Sequence, residues 1–428
     1  MNKIKSLLRI PELRVKILIT IALLFVFRLG CAIPVPFINA EVLTGLFETG
    51  NTFDYLNMMS GGALSQCAVL ALGVTPYINA SIIVQLLSVV IPSWEAARKD
   101  PDGKKKIEMY TKLLSVFLSV VLSVGYLAVL NRYGALAYTE GFAKAFSGLV
   151  IVSCFVAGAQ FVLWLGKKID TAGIGNGVSL LIFAGIVARW SDFSAIIKNA
   201  VQGIQTGNWL AAGMFVLSIV LLLLSIWFVV YVSGSERRIP IQYAGRVVGR
   251  SHYRSMGSFI PLKLMMSGVM PVIFASTVLS LPQTVALFIN AEKHPDLVRN
   301  LMSFNSTSAV WCVLYVAFIF FFNYFYVSIQ YDAVEMANNL RMNGGTIPGR
   351  RPGKPTSEFI SKAMRQIAGT GSVALALIAI APILAQSIAG IYMPLSGTSL
   401  LIVVGVATEL VTTLDSYALV RNHKGFLA

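Results

Sequence analysis

The residue types that usually carry chemistry are scarce where they would have to act. Arg28 and Glu409 lie within long apolar runs. A charge at the centre of a membrane helix costs ~2.5–3.5 kcal/mol on insertion scales, so each demands a partner, water or a place near a membrane face. The histidines His252, His294 and His423 lie outside the apolar runs, which excludes a His-Glu-x-x-His metal site within them. Cys31, Cys67, Cys154 and Cys312 form no Cys-x-x-Cys pair and read as small buried hydrophobes. No Walker A sequence is present, so energy for movement must come from a partner or the membrane potential. Nothing points to an enzyme, a metal or a cofactor. What recurs instead is a way of breaking the backbone. Gly73–Ser81 is GVTPYINAS and Gly268–Ser276 is GVMPVIFAS, matching at Gly, Val, Pro, Ile, Ala and Ser. Paired Gly/Pro interruptions of apolar segments mark an internal repeat and the working centre of a membrane protein.

The elements that position these residues are membrane spans. Of the 428 residues, 56% are hydrophobic and 12% charged, with mean hydropathy +0.74; soluble domains carry roughly 25% charged residues. Ten apolar runs are expected to cross: Ile17–Val35, Met58–Ile91, Leu113–Leu130, Phe146–Leu165, Gly175–Trp190, Trp209–Val232, Leu264–Leu281, Ala309–Ile329, Ile367–Ile388 and Thr398–Tyr417. The basic N-terminus precedes an apolar run too long for a signal peptide, so an uncleaved first span is expected.

The Lys and Arg residues concentrate at both termini and in 92–112, 166–174, 233–263 and 330–366. The alternate loops hold only Arg132, Lys144, Arg189, Lys198, Lys293 and Arg299. The positive-inside rule therefore places both termini in the cytoplasm. The net charge of +15 is mostly this asymmetry and needs no nucleic-acid partner. Ten spans divide into halves 1–208 and 209–428, with one repeat segment in the second span of each. Five spans per half force the halves into opposite orientations.

The second run is too long and too broken for one lipid-facing helix. It carries Gly61-Gly62, then Gly73 and Pro76, with Ser60, Ser65 and Gln66 among them. Irregular backbone at membrane depth must be buried in protein or line a wet cavity. Asn57–Leu72 is thus expected to be a short re-entrant segment, with a separate helix from Gly73 completing the crossing. An ion-coupled secondary transporter of a small solute would share the inverted repeat and the broken helices. It would also need ionisable ligands near the midplane, where Arg28 and Glu409 are nearly alone.

Further stretches accompany the repeats. Leu70–Leu87 is LALGVTPYINASIIVQLL; Phe27-Arg28-Leu29-Gly30 precedes Ile33-Pro34-Val35-Pro36; Trp164-Leu165-Gly166 precedes Gly173-Ile174-Gly175-Asn176-Gly177. Pro348-Gly349-Arg350-Arg351-Pro352-Gly353 and Gly397-Thr398-Ser399-Leu400-Leu401-Ile402-Val403 follow. This ordered set, covering nearly the whole chain, resembles the SecY family, the channel subunits of the bacterial Sec protein translocon. Two positions depart from the family pattern: Lys167, where an acidic residue is expected, and Asp170, where a small polar one is usual.

The resemblance implies an all-α polytopic membrane protein, with ten transmembrane helices as two inverted five-helix halves, a central pore and a re-entrant plug helix. It implies a protein-conducting channel that passes unfolded secretory proteins across the bacterial plasma (inner) membrane and releases transmembrane segments sideways into it. A ring of bulky aliphatic side chains gates by dewetting; carried over by motif, it comprises Val74, Ile78, Val178, Ile182, Ile273 and Ile402. The plug would span about 57–72, around Ser60, Gly61, Gly62, Ala63, Leu64 and Ser65. A lateral gate would lie between Asn79 and Gln85 on one repeat helix and Ser276, Thr277 and Leu281 on the other, through hydrogen bonds worth roughly 0.6–2 kcal/mol each. Docking residues would be Arg237, Arg238, Arg246, Arg250 and Arg254 in the loop about 233–263. Arg341, Arg350, Arg351 and Lys354 would serve in the loop about 330–366. Arginine suits both RNA phosphate and protein carboxylates. The implied partners are SecE and SecG subunits, the SecA motor ATPase, the ribosome, signal sequences, nascent polypeptides and the lipid bilayer.

Overall fold

The computed structural model describes residues 11–39, 62–132, 134–138, 140–188, 209–243, 247–248, 251–252, 258–286, 289, 296–297, 300–301, 308–389 and 396–424. Each of the ten apolar runs holds a helix: α1 (Pro11–Gly30), α2 (Thr75–Val90), α4 (Pro101–Arg132), α5 (Gly141–Ala172), α6 (Gly177–Ala188), α7 (Trp209–Gly234), α8 (Met270–Ala286), α9 (Ala309–Gln330), α11 (Lys354–Ala389) and α12 (Gly397–Lys424). Two polar helices, α3 (Pro92–Lys99) and α10 (Ala333–Met342), lie between them. Among the described residues, six helices are long and apolar enough to cross a membrane by themselves; α2, α6 and α8 are shorter apolar helices.

Two compact units are present: Met1–Gln205 with Ser280–Asn305 and Val406–Ala428, and Thr206–Leu279 with Ser306–Gly405. In the first, α4 packs on α2, α3 and α5, while α1 packs on α5 and α6. Proline sets the helix starts here. Pro92 and Pro101 open α3 and α4, and the residues before them, Ile91 (ψ 109°) and Asp100 (ψ 135°), are extended; the proline ring excludes the helical region at that position. Pro76 sits in the first turn of α2, where a missing N–H costs nothing. The broken second run divides as expected, with regular helix beginning at Thr75. Upstream, 62–74 is a string of turns rather than a regular helix. Left-handed residues at Gly62 (φ 83°), Cys67 (φ 48°) and Gly73 (φ 51°) interrupt helical hydrogen bonding there.

In the second unit, α9 packs against α11, and α11 also meets α7, α10 and a small sheet. The sheet order is β4-β1-β5, with β1 (Glu236–Tyr243) antiparallel to both β4 (Ser258–Lys263) and β5 (Gly345–Thr346). A separate pair joins β2 (Val247–Val248) to β3 (Ser251–His252). Strand β1 alternates, burying Ile239 and Ile241. These two residues share one core with Leu262, Leu340, Ile347, Ile360 and Met364. The long loops 233–263 and 330–366 are therefore one folded body in their described parts.

Candidate functional site

The described part of the expected plug, from Gly62 onward, is seated in the first unit by three kinds of contact; Ser60 and Gly61 lie outside the described residues. The first is a β-bridge: Val35 N–H donates to the Cys67 carbonyl and Val69 N–H to the Ile33 carbonyl, both at 2.9 Å. The second is a polar contact from α4. The Tyr126 hydroxyl donates to the Leu64 carbonyl at 3.0 Å and lies 3.7 Å from the Cys67 thiol. The third is close packing made possible by glycine. A Cβ on Gly158 of α5 would stand 2.0 Å from the Val69 carbonyl oxygen, and one on Gly30 of α1 would stand 2.5 Å from Leu70 Cδ1. Leu64, Cys67 and Ala71 share a buried cluster with Tyr126, Leu130, Ile151 and Phe155. Within the segment, the Ser65 hydroxyl donates to the Gly62 carbonyl at 2.9 Å.

Of the six expected ring residues, Val74, Ile78 and Ile182 are buried in the first unit and Ile273 and Ile402 in the second. Val178 is half-buried, facing Gly166 of α5. Ile78 and Ile273 each stand five residues after a left-handed glycine, Gly73 and Gly268 (φ 61°). The structure thus gives the two repeat segments the same backbone device.

On α2, the gate residues Asn79 and Gln85 each hold a buried amide oxygen with no hydrogen-bond partner among the described residues. The Gln85 amide nitrogen donates to Ser81 Oγ at 2.9 Å. On α8, Ser276 and Thr277 are buried and Leu281 is half exposed. The Ser276 hydroxyl donates to the Ile273 carbonyl at 2.9 Å.

A family model described as SecY matches residues 68–411. The protein translocase subunit SecY of Streptomyces coelicolor is 40% identical over 435 residues, covering 97% of each chain. The chain belongs to the SecY family. SecY-type folds recur among solved structures. One of a protein-conducting channel covers 96% of both chains with a TM-score of 0.68 at 18% identity. Sec61 in a canine ribosome–channel complex from the endoplasmic reticulum covers 96% of both with a TM-score of 0.66 at 16% identity.

Against the SecY pattern, both departures have local structural roles. Lys167 donates to the Glu108 carboxylate, tying α5 to α4. Asp170 accepts the Gly177 N–H at 2.6 Å and Asn176 accepts the Ser179 N–H at 3.2 Å, so both cap the start of α6. Lys167 hydrogen bonding holds the Glu108 carboxyl below its ordinary value.

The expected docking arginines divide by engagement. Arg238 pairs with Glu236 at 2.7 Å and lies 4.7 Å from the Phe259 ring centre. Arg237 donates to Gln366 at 3.2 Å, and Arg350 stacks over Phe359. Arg341, Arg351 and Lys354 are exposed. Arg351 sits between two left-handed glycines, Gly349 (φ 75°) and Gly353 (φ 103°), and its carbonyl accepts from Thr356 at 2.8 Å. Arg246, Arg250 and Arg254 lie outside the described residues.

Sequence reasoning missed Tyr126 and a buried polar cluster around Asn323. Asn323 left a visible signal, as the lone amide in the aromatic run Phe320-Phe321-Phe322-Asn323-Tyr324-Phe325. Tyr126 left none, because its partner is a backbone carbonyl 62 residues away.

Proposed function

We propose that this chain is the protein-conducting channel subunit of a Sec translocon in a bacterial plasma membrane, with both termini in the cytoplasm. The two repeat segments carry this reading. Each starts a helix just beyond a left-handed glycine and buries an isoleucine five residues after it, as an inverted pair lining one pore would. Val74, Ile78, Val178, Ile182, Ile273 and Ile402 form the constriction, which dewets when empty and stretches around a passing chain. The segment 57–72 is the plug, and its described part, 62–72, is a string of turns joined by hydrogen bonds to Ile33, Val35 and Tyr126 that can be remade. Asn79 and Gln85 with Ser276, Thr277 and Leu281 border the lateral exit.

Unfolded chains need a motor or a ribosome to deliver them, and the loop body carrying Arg237, Arg238, Arg246, Arg250, Arg254, Arg341, Arg350, Arg351 and Lys354 is the docking surface. The canine relative is a channel in complex with a ribosome, which supports that role. SecE and SecG complete the complex and SecA supplies ATP-driven movement. Photo-cross-linking of a stalled secretory chain from position 78 tests the proposal. Capture of the chain is expected. Failure to capture it, with uptake of a small solute by proteoliposomes, would overturn the channel in favour of a transporter.

A further inference from the structure

The turn that precedes α8 is held by a fully buried polar cluster. Asn323 of α9 is 2% exposed. Its amide nitrogen donates to the Ala368 carbonyl and to Ser372 Oγ, both at 2.8 Å, and both acceptors lie on α11. Its amide oxygen accepts from the hydroxyl of Ser267, the residue just before Gly268. The Ser372 hydroxyl in turn donates to the Ala368 carbonyl at 2.8 Å. Both donor hydrogens and the acceptor of Asn323 are thus used, which fixes the side chain in one orientation. Ser267 and Ser372 are buried as well, so none of these groups has water as an alternative, and losing one strands the others.

The same turn is pressed against α11 from another side. A Cβ on Gly371 would stand 2.5 Å from the Leu264 carbonyl oxygen, so backbone meets helix there with no room for a side chain. Leu264 N–H also donates to the Ser235 carbonyl at 2.8 Å. Gly268 is different. It is left-handed, and a Cβ there would meet nothing within 4 Å. Beyond it, helical bonding begins at Val269, whose carbonyl accepts from Val272 and Ile273 N–H at 3.2 and 3.3 Å. The chain is thus clamped up to Ser267, turns left-handed at Gly268, whose N–H donates to the Met265 carbonyl at 3.2 Å, and is helical afterwards. The first unit has a counterpart: Tyr126 of α4 holds the Leu64 carbonyl upstream of Gly73.

We propose that Asn323 is a positioning residue that fixes the near side of a hinge at Gly268, and so sets where α8 carries Ile273. This rests on the constriction proposed above. With the clamp intact, motion of α8 is confined to Gly268. With it broken, Ser267 swings too and the isoleucine loses its fixed place. Nothing in Asn323 touches the passing chain.

The test uses the full channel complex in proteoliposomes and in cells, reading ion leak and export of a reporter with a defective signal sequence. Asn323→Leu, which breaks all three bonds, is expected to raise both about tenfold. Ser267→Ala, which cuts only the link to the hinge and leaves Asn323 bonded to α11, is expected to raise them about threefold, the worth of one interhelical hydrogen bond in a bilayer. Ser372→Ala, on the α11 side, should act less on signal stringency than Ser267→Ala, since a merely structural cluster would rank them equally. If Asn323→Leu does not accumulate, Ser267→Ala decides alone. Ile402→Asn runs alongside as the constriction control. Leak from Ile402→Asn with wild-type leak and stringency in Ser267→Ala would overturn the clamp and leave the channel standing. Silence from both would overturn the constriction, and the clamp with it.

Discussion

The Tyr126 hydroxyl and the Leu64 carbonyl are joined by a 3.0 Å hydrogen bond that ties α4 to the expected plug. Tyr126 also packs edge-on against Phe155, with ring centres 5.3 Å apart. Tyr126→Phe keeps the ring and removes the bond, a loss of about 1 kcal/mol. The seated plug should lose about fivefold in population relative to the displaced one. Ion leak through resting channels in proteoliposomes is expected to rise accordingly, with little change in protein level. A resting leak equal to wild type would show that the bond does not hold the plug.

Cysteine pairs report on the gate. In a channel whose four native cysteines are replaced, Asn79→Cys with Leu281→Cys is expected to cross-link under oxidation and to stop export until the bond is reduced. Export that proceeds past a confirmed cross-link would remove these residues from the exit seam.

The Glu108–Lys167 pair predicts a pH signature. The Lys167 hydrogen bond lowers the Glu108 carboxyl from its ordinary 4.5. A lowered carboxyl contributes stability that is present above its ordinary value and lost as pH falls through the folded one. Glu108 is half exposed, so the contribution is at most about 1 kcal/mol. Lys167→Met should therefore melt below wild type at pH 7, and the gap should narrow as pH falls below 4.5, the carboxyl's ordinary value. A gap that stays constant down to pH 3 would place its origin in packing, not in the ion pair.

Arg351 is exposed on a turn between two left-handed glycines, and its substitution should separate partner engagement from folding. Arg351→Ala is expected to change stability by less than about 0.5 kcal/mol while export of a normal secretory protein falls severalfold. Salt titration provides the check, because a lost charge contact should also flatten the salt dependence of partner binding. Equal export in wild type and variant would leave the turn without a docking role.

What the sequence made legible follows from the strength of each signal. Apolar runs of membrane length announced the ten helices, and Gly73 and Pro76 announced where the second run breaks. The sheet β4-β1-β5 was hidden, because its strands come from two loops a hundred residues apart and pair only two residues of the second loop. The turns at 62–72 lie in the segment that the resemblance implied to be a plug helix, since composition does not reveal the left-handed backbone at Cys67, a residue that seldom adopts it. Lys167 and Asp170 looked like departures with only loop consequences. Their partners, Glu108 and Gly177, are visible once α4, α5 and α6 are placed. The ring and gate residues came from motif resemblance alone, as single aliphatic or hydroxyl side chains in a membrane bundle carry no mark of their task.

Strand β1 joins Gln242 to Thr346 and Tyr243 to Gly345. The exposed turn at 348–353 is therefore only a few residues from a strand whose other end runs into the foot of α7. In mechanical terms the described parts of the two loops form one handle, with a continuous path of strand pairing from the turn at 348–353 to the base of α7 and, through β4, to the turn ahead of Gly268.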